Sequence, residues 1–260
     1  MTTKRAFSAL ILAAGRGADD PMAKAFNIAH KCLVQTGGEP MLARVVRALQ
    51  ASPQIGSITI CIDDFDAVSQ ALGKAHDTIL TKSASSAPAS VLSSVADDSL
   101  GWPILVTTAD HALLSPEMIE YFLTESANSN ASLTVGLANQ QVIEARFPQT
   151  KRTYLPFADQ KVSGCNLFAL FDADALKAVS FWQQADKNRK KPWKLVGAFG
   201  LGALVSWAMG RLSLTAAFER ASSRLGVTVK PVLMPFAEAA IDVDKPEDKD
   251  LVDQILAGKV

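Results

Sequence analysis

Cysteine is scarce and scattered: Cys32, Cys61 and Cys165 are odd in number and form no cluster. That excludes a disulfide-stapled miniprotein and fits small buried hydrophobes in a reducing, cytoplasmic setting. An excess of charge is missing too, because 26 basic and 26 acidic side chains leave a formal net charge of 0. General nucleic-acid binders draw most of their affinity from a basic excess, so nucleic acid is not expected as a partner. Aromatics are few at 7%, yet 48% of the 260 residues are hydrophobic, which excludes a disordered chain or a fibrous repeat. No apolar run reaches the roughly 20 residues that a spanning helix needs. The longest, LVGAFGLGALVSWAMG, runs 16 residues from Leu195 to Gly210 with four glycines and predicts a core or interfacial helix. The opening stretch SALILAAG breaks at once into GRGADD, as a strand feeding a loop does and a secretory leader does not. Low-complexity linkers and internal repeats are absent as well.

What is present is alternation. FSALILA (7–13), SITICI (57–62), ILVTTA (104–109), SLTVGL (132–137) and VTVKPVLM (227–234) read as strands. MLARVVRALQAS (41–52), AVSQALGKA (67–75), ASVLSSVA (89–96) and PEMIEYFLTESA (116–127) have helical spacing between them. Such alternation predicts an α/β fold, a three-layer α/β/α sandwich around a mostly parallel sheet. Ser115-Pro116-Glu117 supplies an N-cap, an N1 proline and a first-turn acid, and Lys245-Pro246-Glu247-Asp248 opens the last helix in the same manner. Beyond about residue 140 the pattern loosens into a polar stretch, QQVIEARFPQTKRTYLPFADQK, before VSGCNLFALF returns as a strand. One domain is expected over residues 1–260.

Ligands of parallel α/β sheets sit at the carboxyl ends of the strands, so the residues just past each strand carry the candidates. After the first strand, Gly15 and Gly17 let backbone amides approach a phosphate, with Arg16 and Lys24 as charges. The loop lacks the third glycine of a dinucleotide fingerprint and the GKS or GKT of a phosphate-binding P-loop. Lys31 precedes a turn, Gly37-Gly38-Glu39-Pro40, and by itself reads as a surface lysine. Asp110 ends an otherwise apolar strand, where a carboxylate can hold Mg²⁺ together with substrate phosphates; His111 beside it reads as a packing residue. Asp242 and Asp244 alternate and point to one side, although Asp244 also fits as an N-cap with Glu247 three residues on.

Taken in order, LILAAGRG, HKCLVQTGGEPML, SAPASVLSSV, TTADHALLSPEM, GCNLFAL and IDVDKPED resemble the MobA-like NTP transferases. These are nucleotidyltransferases with the glycosyltransferase-A-like fold of nucleotide-diphospho-sugar transferases. The resemblance implies transfer of NMP from an NTP, GTP or CTP before the others, to a phosphorylated small-molecule acceptor with release of pyrophosphate. The acceptor would be a molybdopterin-type cofactor, a sugar phosphate or an alditol phosphate. It also implies roles. The Gly15–Gly17 loop, with Arg16 and Lys24, would wrap the triphosphate, and Ala13 and Ala14 would let the base lie close to the backbone. Lys31 would contact phosphate, and Ser90 would lie near base or ribose. Asp110 would be the main Mg²⁺ ligand and Asp244 the second, with Asp242 in reserve; Gly164 and Asn166 would meet the acceptor. Residues 1–138 then form a nucleotide-binding half and 139–260 an acceptor-binding half.

The chain departs from the family pattern at the loop, where Asp19 stands in place of the usual arginine with Asp20 and Pro21 after it, and at His30, in place of a proline. Two acids beside a triphosphate repel it unless they point away or join in metal binding. Three other functions are open to such a chain: a nucleotide-binding regulatory protein that has lost catalysis, a binding or scaffold module without NTP affinity, or a glycosyltransferase of the same fold. The last normally shows a D-x-D that TTADHA lacks. DKNRKKPWK (186–194) carries five basic residues in nine. It reads as a solvated basic turn ahead of the apolar run, in preference to a peripheral contact with an acidic membrane surface.

Overall fold

Side chains alternate along the first strand, and that alternation sets the layers. In a computed structural model describing residues 6–15, 19–97, 100–150, 152–187 and 201–260, strand β1 (Phe7–Leu12) is buried on both faces. Ala9 and Ile11 face one cluster, shared with Leu42, Val45 and Leu49 of α2 (Met41–Ala51), Val68 of α3 (Phe65–Leu72) and Ile119 and Phe122 of α5 (Pro116–Asn128). Leu10 faces the opposite cluster, with Val91 of α4 (Ala87–Ala96) and Ala178 and Val179 of α7 (Ala175–Lys187). The sheet is thus covered by helices on both sides, as the continuous apolar strand predicts. Each of these large side chains adds roughly 1.5–3 kcal/mol by leaving water.

The remaining strands are β4 (Ile55–Ile62), β5 (Ile79–Lys82), β6 (Ile104–Thr108), β7 (Leu133–Asn139), β8 (Leu155–Pro156), β9 (Lys161–Leu170) and β10 (Val229–Met234). With β1 they form one sheet in the order β10-β7-β9-β6-β1-β4-β5, and β8 pairs with β9. Neighbours are parallel except around β9, which runs antiparallel to β6, β7 and β8. A separate two-stranded hairpin joins β2 (Gln35–Thr36) to β3 (Glu39–Pro40). Its turn uses Gly37 and Gly38, both at positive φ, as a two-residue hairpin requires.

The expected strands and helices are present, with shifted ends. The third helix begins at Phe65 because Asp64 caps it, and stops at Gly73, whose φ is 83°. Strand β5 was not expected; its four residues are exposed or half-buried and carry no alternation. The polar stretch after residue 139 holds α6 (Gln140–Arg146), capped by Asn139, and is not all loop. The apolar run from Leu195 is described only from residue 201, where α8 (Leu201–Ala208) lies. Its described side chains are not core: Val205 is 48% exposed and Trp207 41%, the indole donating to the Pro156 carbonyl at 2.8 Å. Of the basic run 186–194, positions 188–194 fall outside the described residues. No helix among the described residues is long and apolar enough to cross a membrane. The helices α1 (Pro21–Ala25), α9 (Leu214–Leu225) and α10 (Pro246–Leu256) complete the chain.

A further apolar cluster lies at the carboxyl edge: Met22, Val34, Met41, Ala112, Leu113, Ile241, Val243 and Val252 pack together. It ties the segments after β1, before α2, after β6 and before α10 into one floor. Lys31, Asp110 and Asp244 stand beside it.

Candidate active site

Asp110 follows β6 by two residues, and its position is fixed twice. Thr108 Oγ1 donates to Asp110 Oδ1 at 2.6 Å, and the Val243 backbone N–H donates to the Asp110 carbonyl at 3.1 Å. The second contact registers the Asp110 loop against the Asp242–Asp244 segment. Lys31 lies on a single 3₁₀ turn, Lys31–Leu33. Its Nζ donates to Asp110 Oδ2 at 2.7 Å and to Asp244 Oδ1 at 2.6 Å. Burial alone would lower the pKa of this ammonium, but Asp110 and then Asp244 outweigh it, and the net effect is a raised pKa. Lys31 is therefore a fixed cation held between two carboxylates.

The expected N-cap role of Asp244 does not hold. Lys245 is the N-cap of α10, and Asp248 accepts from the backbone N–H groups of Asp244 and Lys245 at 3.1 and 3.2 Å. Asp248 does the capping, which leaves the Asp244 carboxylate free to reach Lys31. Asp242 is engaged differently. Arg152 donates to its carboxylate and, at 3.1 Å, to its carbonyl, and lies 3.8 Å from Asp248. Burial raises the pKa of Asp242, Arg152 opposes this, and Asp244 and Asp110 add to it; the net direction is upward. Asp242 and Asp244 nonetheless line one open polar cavity of about 210 Å³ with Arg152, Ser163, Gly164 and Lys245.

Gly164 reaches that cavity through an irregularity in β9. Between the pairs Val135↔Phe168 and Leu137↔Gly164 the register with β7 shifts, and Asn166 inside the shifted stretch has φ 50°. A bulge of this kind re-aims side chains where a sheet approaches a site. Gly164 thus shares the cavity with the two carboxylates, while Asn166 forms the bend and is not among the cavity's lining residues.

On the other side of Lys31, a small recess is lined by Leu12, Ala13, Ala14, Lys31, Cys32, Met41, Ala109 and Asp110. Ala13, Ala14, Lys31 and Asp110 thus come together as expected. Arg16 and Gly17 lie outside the described residues. Lys24 is paired with Asp19 at 2.9 Å on an exposed surface, and Asp20 caps α1 by accepting from Met22 and Ala23. The two acids of the loop are therefore occupied locally. Ser90 is buried, and its hydroxyl accepts from the Ala84 backbone N–H at 2.9 Å. It holds the segment before α4 and offers no exposed hydroxyl. His111 is fully enclosed, its ring nitrogens lack a hydrogen-bond partner among the described residues, and burial, against the pull of Asp110, holds its pKa down to about 4. It packs as a neutral ring.

The model of the MobA-like NTP transferase domain matches residues 9–191. The chain belongs to the MobA-like NTP transferase family. No curated protein matches it. Among solved structures, a hypothetical transferase from Thermus thermophilus is 28% identical, with a TM-score of 0.79 over 94% of this chain and 99% of that one. A CMP:2-keto-3-deoxy-manno-octonic acid synthetase complexed with CTP is 13% identical, with a TM-score of 0.61 over 98% and 100%. A 4-diphosphocytidyl-2C-methyl-D-erythritol synthase from Anaerococcus prevotii is 15% identical, with a TM-score of 0.55 over 98% and 97%. At those identities the last two share the fold, which is the expected α/β sandwich of GT-A-like nucleotidyltransferases.

This MobA-like transferase has polar residues at its edge that the sequence reading did not select. Asp63 follows β4 as Asp110 follows β6, so the same position rule would have found it. Thr108 was hidden within a strand motif. Arg152 lies in a loop with no periodicity and is tied to the site only by the fold.

Proposed function

We propose that this transferase moves the NMP moiety of an NTP, CTP or GTP in first place, onto a phosphate of a small acceptor with Mg²⁺ present. A phosphate oxygen of the acceptor attacks the α-phosphorus, the bond from that phosphorus to the bridging oxygen breaks, and pyrophosphate leaves. The observation that carries the reading is the Lys31 ammonium held 2.7 Å from Asp110 and 2.6 Å from Asp244. Two carboxylates from distant segments converge on one cation position, beside an alanine-glycine loop at the carboxyl edge. Among the described residues no three His, Cys, Asp or Glu side chains gather as a metal cage. Two carboxylates completed by substrate phosphates and water is what Mg²⁺ ordinarily takes. Bound there, Mg²⁺ would neutralise phosphate charge and favour departure of pyrophosphate.

The chain's own part is positioning and charge. Asp110, braced by Thr108, and Asp244, freed by Asp248, hold the cation. Lys31 is drawn from the carboxylates to phosphate oxygens when the nucleotide arrives. The backbone at Ala13, Ala14 and Gly15, with Arg16 and Gly17 beyond, receives the nucleotide in a half formed by residues 1–138. Gly164 and the cavity beside Asp244, shaped by the bend at Asn166, receive the acceptor in a half formed by 139–260. Pyrophosphate release from each NTP, with molybdopterin, sugar phosphates and alditol phosphates as acceptors, tests this. Release with one pairing and its loss in Asp110→Asn supports the reading. Nucleotide binding with no release from any pairing points to a regulatory protein and overturns it.

A further inference from the structure

Two side chains outside the proposed roles meet at the glycine loop. Asp63 Oδ1 accepts from the Gly15 backbone N–H at 3.2 Å and lies 3.3 Å from His30 Nε2. The other ring nitrogen, Nδ1, accepts from the Cys32 backbone N–H at 3.2 Å. An imidazole that accepts at Nδ1 carries its proton at Nε2, an assignment made from the hydrogen-bond network. His30 is therefore a donor to Asp63 and an acceptor from the turn that bears Lys31. The ring is only 1% exposed, and a Cβ added at Gly15 would stand 2.9 Å from Nε2. The loop backbone rests directly on the imidazole.

We infer that His30 and Asp63 are positioning residues that hold the Gly15 amide in register with Lys31, so that loop and lysine meet a triphosphate as one unit. This rests on the nucleotide site proposed above. Side chains join three segments here: the start of the loop after β1, the 3₁₀ turn and the end of β4, the first and last of which also share the Ala13 N–H to Cys61 carbonyl bond at 2.9 Å. Without the bridge, Gly15 loses the only side-chain acceptor assigned to its amide among the described residues. Burial would raise the pKa of Asp63, but the Gly15 amide and His30 outweigh it and bring it down. The group is an anion whose charge is spent on the loop.

The test separates two bonds of one ring and compares them with the carboxylate. Asn at position 30 offers an oxygen near the place of Nδ1 and does not reach Asp63; Gln offers an amide near the place of Nε2. Asp63 is 38% exposed, so Asp63→Ala gives a folded protein even if His30 variants do not. Steady-state KM and kcat for CTP and GTP with Mg²⁺ are measured beside the melting temperature. Expected for Asp63→Ala and His30→Asn is a KM for the nucleotide raised about tenfold, with kcat and acceptor KM held within about twofold. Asp63→Asn, whose amide oxygen still accepts from Gly15, recovers most of that loss, and His30→Gln recovers part. A nucleotide KM unchanged in Asp63→Ala overturns the inference while leaving the site reading intact. Equal losses in nucleotide and acceptor KM with a lowered melting temperature also overturn it, since that is what a purely structural pair gives. If wild type turns over no nucleotide, the site reading fails and the inference falls with it.

Discussion

Lys31 and Asp110 lie 2.7 Å apart across the carboxyl edge of the sheet, and the same ammonium reaches Asp244. The lysine is the counterion of both carboxylates when no other cation is there. Lys31→Met removes it and leaves two acids facing one position. The variant is expected to melt below wild type without divalent cation, and millimolar Mg²⁺ should raise its melting temperature more than it raises wild type's. Thermal melts with Mg²⁺ and with EDTA check this. Identical melts for the two proteins under both conditions would show that the carboxylates do not share the cation.

Arg152 is almost enclosed and serves Asp242 with both terminal nitrogens. Its removal leaves a partly buried carboxylate without its partner, which costs about 1–3 kcal/mol. Arg152→Met should lose that much in urea unfolding. The double variant with Asp242→Asn should recover part of it, because the uncompensated charge is gone. Additive losses in the cycle would mean that the two do not act as a pair.

All three cysteines are free and buried. Burial pushes the Cys32 thiol up to about 12, with Asp64 and Asp63 adding to the effect, and raises Cys165 as well. Thiolate is the reactive form. A colorimetric disulfide reagent at pH 8 should therefore find almost no reactive thiol in the native protein and all three after denaturation.

Ser90 accepts from the Ala84 amide inside the fold. Ser90→Ala should cost about 1 kcal/mol of stability by leaving that amide unpaired. A variant of undiminished stability whose nucleotide KM nevertheless rises would instead place the hydroxyl against the nucleotide.

Much of the fold could be read from the sequence because burial was two-sided. Strands β1, β4 and β6 are mainly apolar with buried small or hydroxyl residues among them, and Ser115, as expected, caps α5 by accepting from the Met118 N–H at 3.2 Å. Strand β5 and helix α6 were missed because neither has an apolar period, and their places are set by the neighbours they pair with or pack on. At the site, position past a strand end singled out Asp110, and the family resemblance added Lys31. The division of labour among Asp242, Asp244 and Asp248 was not legible. A cap residue and a site carboxylate look alike in sequence, and only the geometry of the turn before α10 tells them apart. His30 stood out as a departure from the family, but its link to Asp63 joins residues 33 apart that no local rule connects.

The most direct test of the account is calorimetric binding of CTP and GTP, each with Mg²⁺ or EDTA, to wild type and to Asp110→Asn. The account predicts that one of them binds wild type with Mg²⁺, and that removing either the metal or the carboxylate weakens it by about tenfold or more. Equal binding by the variant, or binding indifferent to Mg²⁺, would contradict the claim that Asp110 and Asp244 form a cation site for the nucleotide's phosphates.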